Sequence, residues 1–442
     1  MNLVVELTQY LMILIIGMYS LQSFSVARSS NKELQRKSYN LLTIFTVALH
    51  FVGYLTLYIQ TYNDKLIMLY VGQVVLFVLV NVFYRIFYPN KSRLLHSNML
   101  MMLTIGFIIL ARLNYDKAVK QFLIVGIAFA LCLIVPVIIK KMDLLKKFGW
   151  LYGIASIVLL LIVLFAGTTQ YGATNWLEIR GFSFQPSEIV KVLFIFFVAA
   201  MFQENTGFRR VCAVSIMAGA IVIILVLQKD LGGALIFSVT YIFMLFIATS
   251  KPLYLFAGLG AGSVAAAIAY KLFGHVRVRV MAWQNPTRYI NDEGYQMSQS
   301  LFAIGTGGWF GMGLNRGLPT SIPVVESDFI FSAISEEFGA FFSICLILIY
   351  MNCFITMINI ALMMEDMFYR LFCSGAAVMF AFQIFLSIGG VTKFIPSTGV
   401  TLPFISHGGS SIFVTIVIFM IFQGIYMRAI NERQQQEEEK VH

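Results

Sequence analysis

Three observations predict an all-α polytopic membrane protein. The chain is 59% hydrophobic and only 12% charged over 442 residues, and its mean hydropathy of +0.83 is above what a soluble domain carries while staying dispersed. Apolar runs of roughly 17 to 25 residues, the length a helix needs to cross a bilayer, recur from end to end instead of once. The five cysteines lie in or beside those runs without C-x-x-C spacing, so neither a disulfide framework nor a zinc site is expected.

In chain order the runs fall near 3–24, 39–60, 66–87, 98–113, 117–139, 148–168, 186–203, 211–227, 231–249, 252–273, 328–350, 368–390 and 405–427, about thirteen helices. The first lacks a basic leader and a small-x-small cleavage site, and therefore reads as a retained span, not a signal sequence. Short basic loops, "ARSSNKELQRKS", "YRIFYPNKSRLLH", "KKMDLLKK" and "FRR", alternate with "TYNDK" and "TTQYGATNWLEIRGFSFQPS". The positive-inside rule makes the basic set cytoplasmic. It places the N-terminus outside, the C-terminal "NERQQQEEEK" inside, and the segment from His275 to Ser327 outside. The net charge of +10 then follows from topology, and no nucleic-acid partner is expected.

The outer segment of about 50 residues is long for a loop in a compact protein, which points to function. Six glycines between Gly305 and Gly317 imply tight turns or close backbone approach. They form neither a Walker A loop nor G-x-G-x-x-G. No nucleotide is expected, and a reaction at this face must use a substrate that arrives already activated, most simply on a lipid carrier.

Four stretches carry charge or irregular backbone where a bilayer makes both costly. In "ESDFIFSAISEE", Asp328 stands where the outer loop meets a helix, either as a cap or as a partly desolvated base. Glu326 precedes it, and Glu336 and Glu337 fall about two turns inside the helix, where at least one requires a polar cavity or a cation. In "FQPSEIVKVLFIFF", Pro186 suits a first helical turn, and Glu188 and Lys191 at i, i+3 can pair. Lys191 is either a snorkelling lysine or a buried cation able to hold a phosphate. "LQKDLGGALIF" sets Lys229 and Asp230 at a turn. "FIPSTGVTLPFISHGGSS", with Ser410 and Ser411, reads as a re-entrant loop lining a cavity or as an ordinary turn. His407 has no second histidine at ligand spacing.

Taken in order, "GFSFQPSEIVKV", "LQKDLGGALI", "NDEGYQMSQSLFAIGTGGWFGMGL", "ESDFIFSAISEEFG" and "PSTGVTLPFISHGGSS" resemble the SEDS family (shape, elongation, division and sporulation), the FtsW, RodA and SpoVE proteins of the bacterial envelope. The resemblance runs from about Met99 to Met427. It departs at Lys229, where the family usually has proline, and at His407, where tyrosine is common.

The resemblance implies a ten-helix core over 96–430 with the outer loop 274–327, preceded by an extension of about three spans (1–95) and followed by a charged cytoplasmic tail (431–442). It further implies a multi-pass protein of the bacterial cytoplasmic membrane that polymerises lipid II into glycan strands on the outer face. The implied partners are a class B penicillin-binding protein and other division or elongation proteins. Asp328 matches the acidic residue held essential for polymerisation, and Glu188 and Lys191 match a supporting pair. Asp230, Gln296, Gln299, Glu326, Glu336, Glu337, Ser410 and Ser411 are the further supporting candidates. The leaving diphosphate needs positive charge from Lys191, from Arg279, Arg288 or Arg316, or from a divalent cation, Mg2+ or Mn2+. A transporter that flips lipid-linked sugars is the competing reading, and a scaffold for division enzymes is a third.

Overall fold

The computed structural model describes residues 2–28, 32–140, 142–170, 173–179 and 182–441. In a bilayer every backbone polar group must be satisfied within the protein, which leaves long helices as the economical solution for runs this apolar. The chain accordingly forms α1 (Asn2–Arg28), α2 (Lys32–Thr61), α3 (Asp64–Phe87), α4 (Arg93–Leu113), α5 (Tyr115–Cys132), the short α6 (Val135–Lys140) and α7 (Met142–Leu145), and α8 (Gly149–Ala166). After a small sheet come α9 (Pro186–Phe202), α10 (Phe208–Leu227), α11 (Leu231–Thr249), α12 (Pro252–Leu272), α13 (Gly274–Gln284), α14 (Tyr295–Gly307), α15 (Ile330–Leu362), α16 (Met367–Val391) and α17 (Gly409–Val441).

Thirteen of these, among the described residues, have 17 residues or more, and each coincides with an expected span. Eleven are long and apolar enough to cross a membrane on length and composition alone. The other two are α9, with 17 residues, and α5, which opens with Asp116, Lys117 and Lys120. Of the basic segment expected after the first span, Ser29, Ser30 and Asn31 lie outside the described residues.

Boundaries follow cap chemistry. Asn114 ends α4 and its side chain accepts from Lys117 N at 3.0 Å to start α5. Asp366 accepts from Phe368 N at 2.9 Å to start α16, satisfying amides that a helix start leaves unpaired. Lipid tails are as apolar as leucine, so burial alone does not draw these helices together. Close packing and polar contacts do. α4 is central, with 89% of its apolar window buried, whereas α12 has none buried and lies at the periphery. Tyr19, Asn98 and Asn352 form a hydrogen-bonded chain, Tyr19 Oη to Asn98 Oδ1 at 2.9 Å and Asn98 Nδ2 to Asn352 Oδ1 at 2.7 Å, that ties α1 to α4 and α15.

Two expected loops have structure of their own. The segment expected as an outer loop after α8 forms an antiparallel meander of β1 (Thr168–Gln170), β2 (Ala173–Ile179) and β3 (Phe182–Phe184). Thr168 pairs with Trp176 and Leu177 with Phe184, with β-branched and aromatic residues favouring the pleat. The segment 275–327 is not one long loop, because it contains most of α13 and all of α14. The buried positions Met297, Ser298, Ala303 and Gly307 of α14 recur at helical spacing.

The glycines of this segment answer the charge pattern on α15. Gly339 breaks α15 with φ +85°, leaving carbonyls without their usual helical donors. Met312 N donates to Glu336 O at 2.8 Å and Gly313 N to Glu337 O at 2.9 Å, while Ala340 N and Phe341 N donate to Gly308 O and Trp309 O at 2.9 and 3.1 Å. The two backbones lie so close that a Cβ on Gly311 (φ +82°) would stand 2.3 Å from Glu337 O, and one on Gly339 2.3 Å from Gly311 N. Only glycine fits there. Gln9 of α1 steadies the same turn, its Nε2 donating to Phe310 O and Gly311 O at 2.7 and 2.8 Å.

Candidate functional site

The connections 167–185, 228–230, 273–329 and 392–408 gather at one end of the bundle and enclose a cavity of about 510 Å³. The segment 392–408 dips between α16 and α17. It packs against α4 so closely that a Cβ on Gly106 would meet Phe404 O at 2.8 Å. Tyr350 Oη, Gln121 Nε2 and Gln383 Nε2 bind its carbonyls at Pro403, Ser406 and Thr401. This is irregular backbone enclosed by protein and lining a cavity.

Asp328, Asp230, Arg279, Gln296, Ser410 and Ser411 all line that cavity. Asp328 does not cap α15, whose start has no side-chain cap. Its Oδ1 accepts from Ser327 Oγ at 3.0 Å, and Gly399 leaves its Oδ2 room, since a Cβ there would stand 3.4 Å away. Burial raises the Asp328 carboxyl above the usual aspartate range, with Ser327 and the Arg279 charge offsetting part of the rise. Burial likewise lowers the Arg279 guanidinium, against the opposing charges of Asp328 and Asp230. Arg279 Nη1 is anchored on Ser397 O at 3.3 Å.

Asp230 caps α11 through Gly233 N at 2.8 Å. Its other oxygen accepts from Gln185 Nε2 at 3.2 Å, and Gln185 N reaches Ser410 Oγ at 3.3 Å. Gln296 is held by Pro323 O at 2.7 Å. His407 also lines the cavity. Burial, reinforced by the charges of Lys117 and Lys120, lowers it to about 4, so it is neutral at ordinary pH.

The remaining candidates stand behind or outside the wall. Lys191 Nζ donates to Glu188 Oε1 and Oε2 at 2.9 Å each and to Gln383 Oε1 at 3.0 Å, with the two charged residues 5% and 6% exposed. An ammonium has three protons, and all three are spent, which removes the basis for a phosphate-holding Lys191. The pair connects to the cavity through Gln383, Thr401 and Ser411. Glu337 meets the cation its position required, Arg112 Nε at 3.0 Å, and Glu336 Oε1 accepts from Leu318 N at 2.8 Å. Glu326 pairs with Lys117. Gln299 and Arg288 are absent from the wall, Arg288 lying over the Tyr289 ring, and Arg316 pairs with Glu6 at 3.7 Å.

Lys229 is a cavity residue that sequence reasoning set aside as part of a turn. It lines the wall with φ +63°, a backbone setting uncommon for lysine that no local sequence feature announces. Trp176 and Trp283 add aromatic wall, with Trp283 Nε1 fixed on Lys393 O at 3.0 Å. The cavity thus combines one carboxyl made more basic by burial, two cations, aromatic faces and hydroxyls.

Known proteins share this architecture. The "Cell cycle protein" family model of FtsW, RodA and SpoVE matches residues 92–431. Peptidoglycan glycosyltransferase RodA of Mycobacterium tuberculosis is 31% identical over 331 residues, 71% of each chain. Probable peptidoglycan glycosyltransferase FtsW of Geobacter sulfurreducens is 33% identical over 291 residues, 63% of this chain and 76% of its own. A chain of a solved peptidoglycan synthase complex superposes with a TM-score of 0.65 at 24% identity, covering 77% of this chain and 98% of its own. The matched region holds α4, α5, α8 to α12 and α15 to α17, ten long helices, and leaves α1 to α3 outside it. The chain belongs to the FtsW, RodA and SpoVE family, the SEDS proteins, as an all-α multi-pass membrane protein with three additional N-terminal helices.

Proposed function

We propose that this protein is a peptidoglycan glycosyltransferase that polymerises lipid II at the cavity end of its bundle. One observation carries the mechanism: Asp328 presents to a polar cavity a carboxyl that caps no helix and that burial makes more basic. Asp328 accepts the proton of the acceptor sugar hydroxyl as that oxygen bonds to the anomeric carbon of the donor chain. The bond from that carbon to undecaprenyl diphosphate breaks with inversion, and the diphosphate leaves with the electron pair. Arg279 and Lys229, on the same wall, face the charge that develops there. The tryptophan faces suit the apolar faces of the sugars.

Mg2+ or Mn2+ binds through one or two carboxylates together with substrate phosphates, and Asp230 and Glu293 supply such oxygens on the wall. Such an ion would add positive charge beside the diphosphate. Glu188, Lys191 and Gln383 position the 392–408 segment and do not touch substrate.

The short connections and flanking helix ends at the opposite end carry Arg85, Lys91, Arg93, Lys146, Arg209 and Arg210, and the positive-inside rule then supports a cytoplasmic position for that end and the C-terminus, with the cavity outside. A class B penicillin-binding protein is the proposed partner, supported by the similar chain having been solved within a peptidoglycan synthase complex. The test is to supply fluorescent lipid II to the purified protein with that partner, in Mg2+ or Mn2+. Glycan ladders support the reading. Absence of polymer together with movement of lipid II across proteoliposome bilayers would establish a transporter instead.

A further inference from the structure

At the other end of the bundle, remote from the proposed reaction, a second cavity of about 680 Å³ opens between α2, α3 and the start of α4. Four cations line it: Arg36 from α2, Arg85 from α3, Lys91 from the connection and Arg93 from the start of α4. The lining contains no carboxylate. Among the described residues none of the four takes part in an ion pair, and Glu33, the acid one turn before Arg36, is paired with Lys37 at 2.9 Å. Arg93 and Lys91 lie instead over the rings of Tyr39 and Tyr84.

The rule that favours cytoplasmic lysine and arginine accounts for cations at this end. It does not account for four of them converging unneutralised around one concavity from three helices and a connection. Burial and the neighbouring Arg93 lower Lys91 to about 8, as crowding without a counter-charge would do. Polar groups are placed among the cations. His96, 4% exposed, lines the cavity with Nε2 against Asn81 Oδ1 at 3.1 Å, while its buried Nδ1 has no partner. Asn40 and Ser97 add further donors to the wall.

We propose that this cavity binds the phosphate of an anionic membrane phospholipid, its headgroup among Arg36, Arg85, Lys91 and Arg93 and its acyl chains along α3. The choice of a lipid over a soluble phosphate rests on position. The cavity sits at the helix ends, and α3 beside it exposes Val82, Phe83, Ile86 and Phe87 at 42–65%, a continuous apolar flank for chains. Basic pockets between helices at the cytoplasmic side are suited to such headgroups. Three of the four cations and Asn81 precede residue 92, where the family match begins, so the site belongs largely to the N-terminal extension and is independent of the glycosyltransferase reading.

The experiment is native mass spectrometry of the full-length protein titrated in mild detergent with phosphatidylglycerol, phosphatidylcholine or inorganic phosphate. The variant is Arg36→Gln/Arg85→Gln/Arg93→Gln. Each cation near an anionic headgroup contributes about fivefold, so the triple variant loses about a hundredfold in phosphatidylglycerol affinity. Arg209→Gln, at the same end on α10, leaves it unchanged, and Arg93→Gln alone, at about fivefold, serves if the triple variant does not fold. Equal affinity for phosphatidylglycerol and phosphatidylcholine, or no loss in the folded variants, overturns the proposal. Displacement of phosphatidylglycerol by inorganic phosphate at equal concentration overturns the lipid in favour of a soluble phosphate.

Discussion

Replacing Lys191 with methionine removes one partner of a charge pair that is 5% and 6% exposed. Glu188 then keeps its carboxylate in the same dry position without the ammonium that met both its oxygens at 2.9 Å, and Gln383 Oε1 loses its donor at 3.0 Å. Charge-assisted hydrogen bonds of this kind are worth about 1.5–3 kcal/mol each, but burying the two charges offsets much of that gain. Breaking one partner of such a pair therefore costs about 3–5 kcal/mol, whereas replacing both with apolar or neutral groups of similar size is close to neutral. Lys191→Met and Glu188→Gln should each destabilise strongly, and the double variant should recover most of the loss, giving a coupling at least as large as one single loss, about 3 kcal/mol or more. Equilibrium unfolding by dodecyl sulfate in mixed micelles measures all four proteins. Single losses below about 1 kcal/mol that simply add would refute the buried-pair reasoning. Reduced but measurable polymerase activity in the stable double variant is the companion expectation, because Gln383, which holds Thr401 O, loses its Lys191 donor while no group that touches substrate is removed.

Gly311→Ala and Gly339→Ala force a Cβ to within 2.3 Å of backbone atoms at positive φ. Each should lose folded yield in fluorescence-detected size exclusion, whereas Gly305→Ala, with open space at its Cβ, should not. Arg279→Gln removes the positive charge that partly offsets the raised Asp328 pKa, so the acid limb of the pH–rate profile should move to higher pH; a downward shift would contradict the assigned proximity. The sign for stability is opposite to that for activity. A raised carboxyl contributes stability that is present below its ordinary pKa of about 3.9 and is lost as pH rises through the folded value. Single cysteines at Asn63 and Asn205 in a cysteine-free background should label from outside and inside respectively with an impermeant thiol reagent, and the reverse pattern would invert the orientation.

The thirteen long helices were legible because crossing a bilayer demands an apolar run of known length, and basic loops mark alternate turns. The meander at 168–184 escaped notice because its strands are only 3, 7 and 3 residues long, too short for alternation to stand out. α14 was hidden by the glycines at and after its end, which read as loop, although Gly307 and Gly311 are there to let two backbones touch. Asp328, Asp230 and the 392–408 segment could be found as charge or irregular backbone at membrane depth. Lys229 could not, because its place on the cavity wall depends on a left-handed backbone position that lysine does not advertise. For Lys191 the i, i+3 spacing showed that Glu188 can reach it, but not that Gln383, 192 residues away in the chain, also accepts from it.

The reaction at the cavity rests most directly on Asp328, and the measurement that tests it is lipid II polymerisation by Asp328→Asn. Asparagine is nearly the same size and keeps an oxygen to accept from Ser327 Oγ, and Asp328 caps no helix, so the fold, the thermal stability and binding of the penicillin-binding protein should survive. Asparagine cannot accept the hydroxyl proton as a carboxylate does. With fluorescent lipid II, Mg2+ or Mn2+, and a partner whose own glycosyltransferase domain, if present, is disabled, the wild type should give glycan ladders and the well-folded variant none. Ladders of comparable yield and length from both proteins would remove Asp328 from the chemistry and contradict the proposed mechanism.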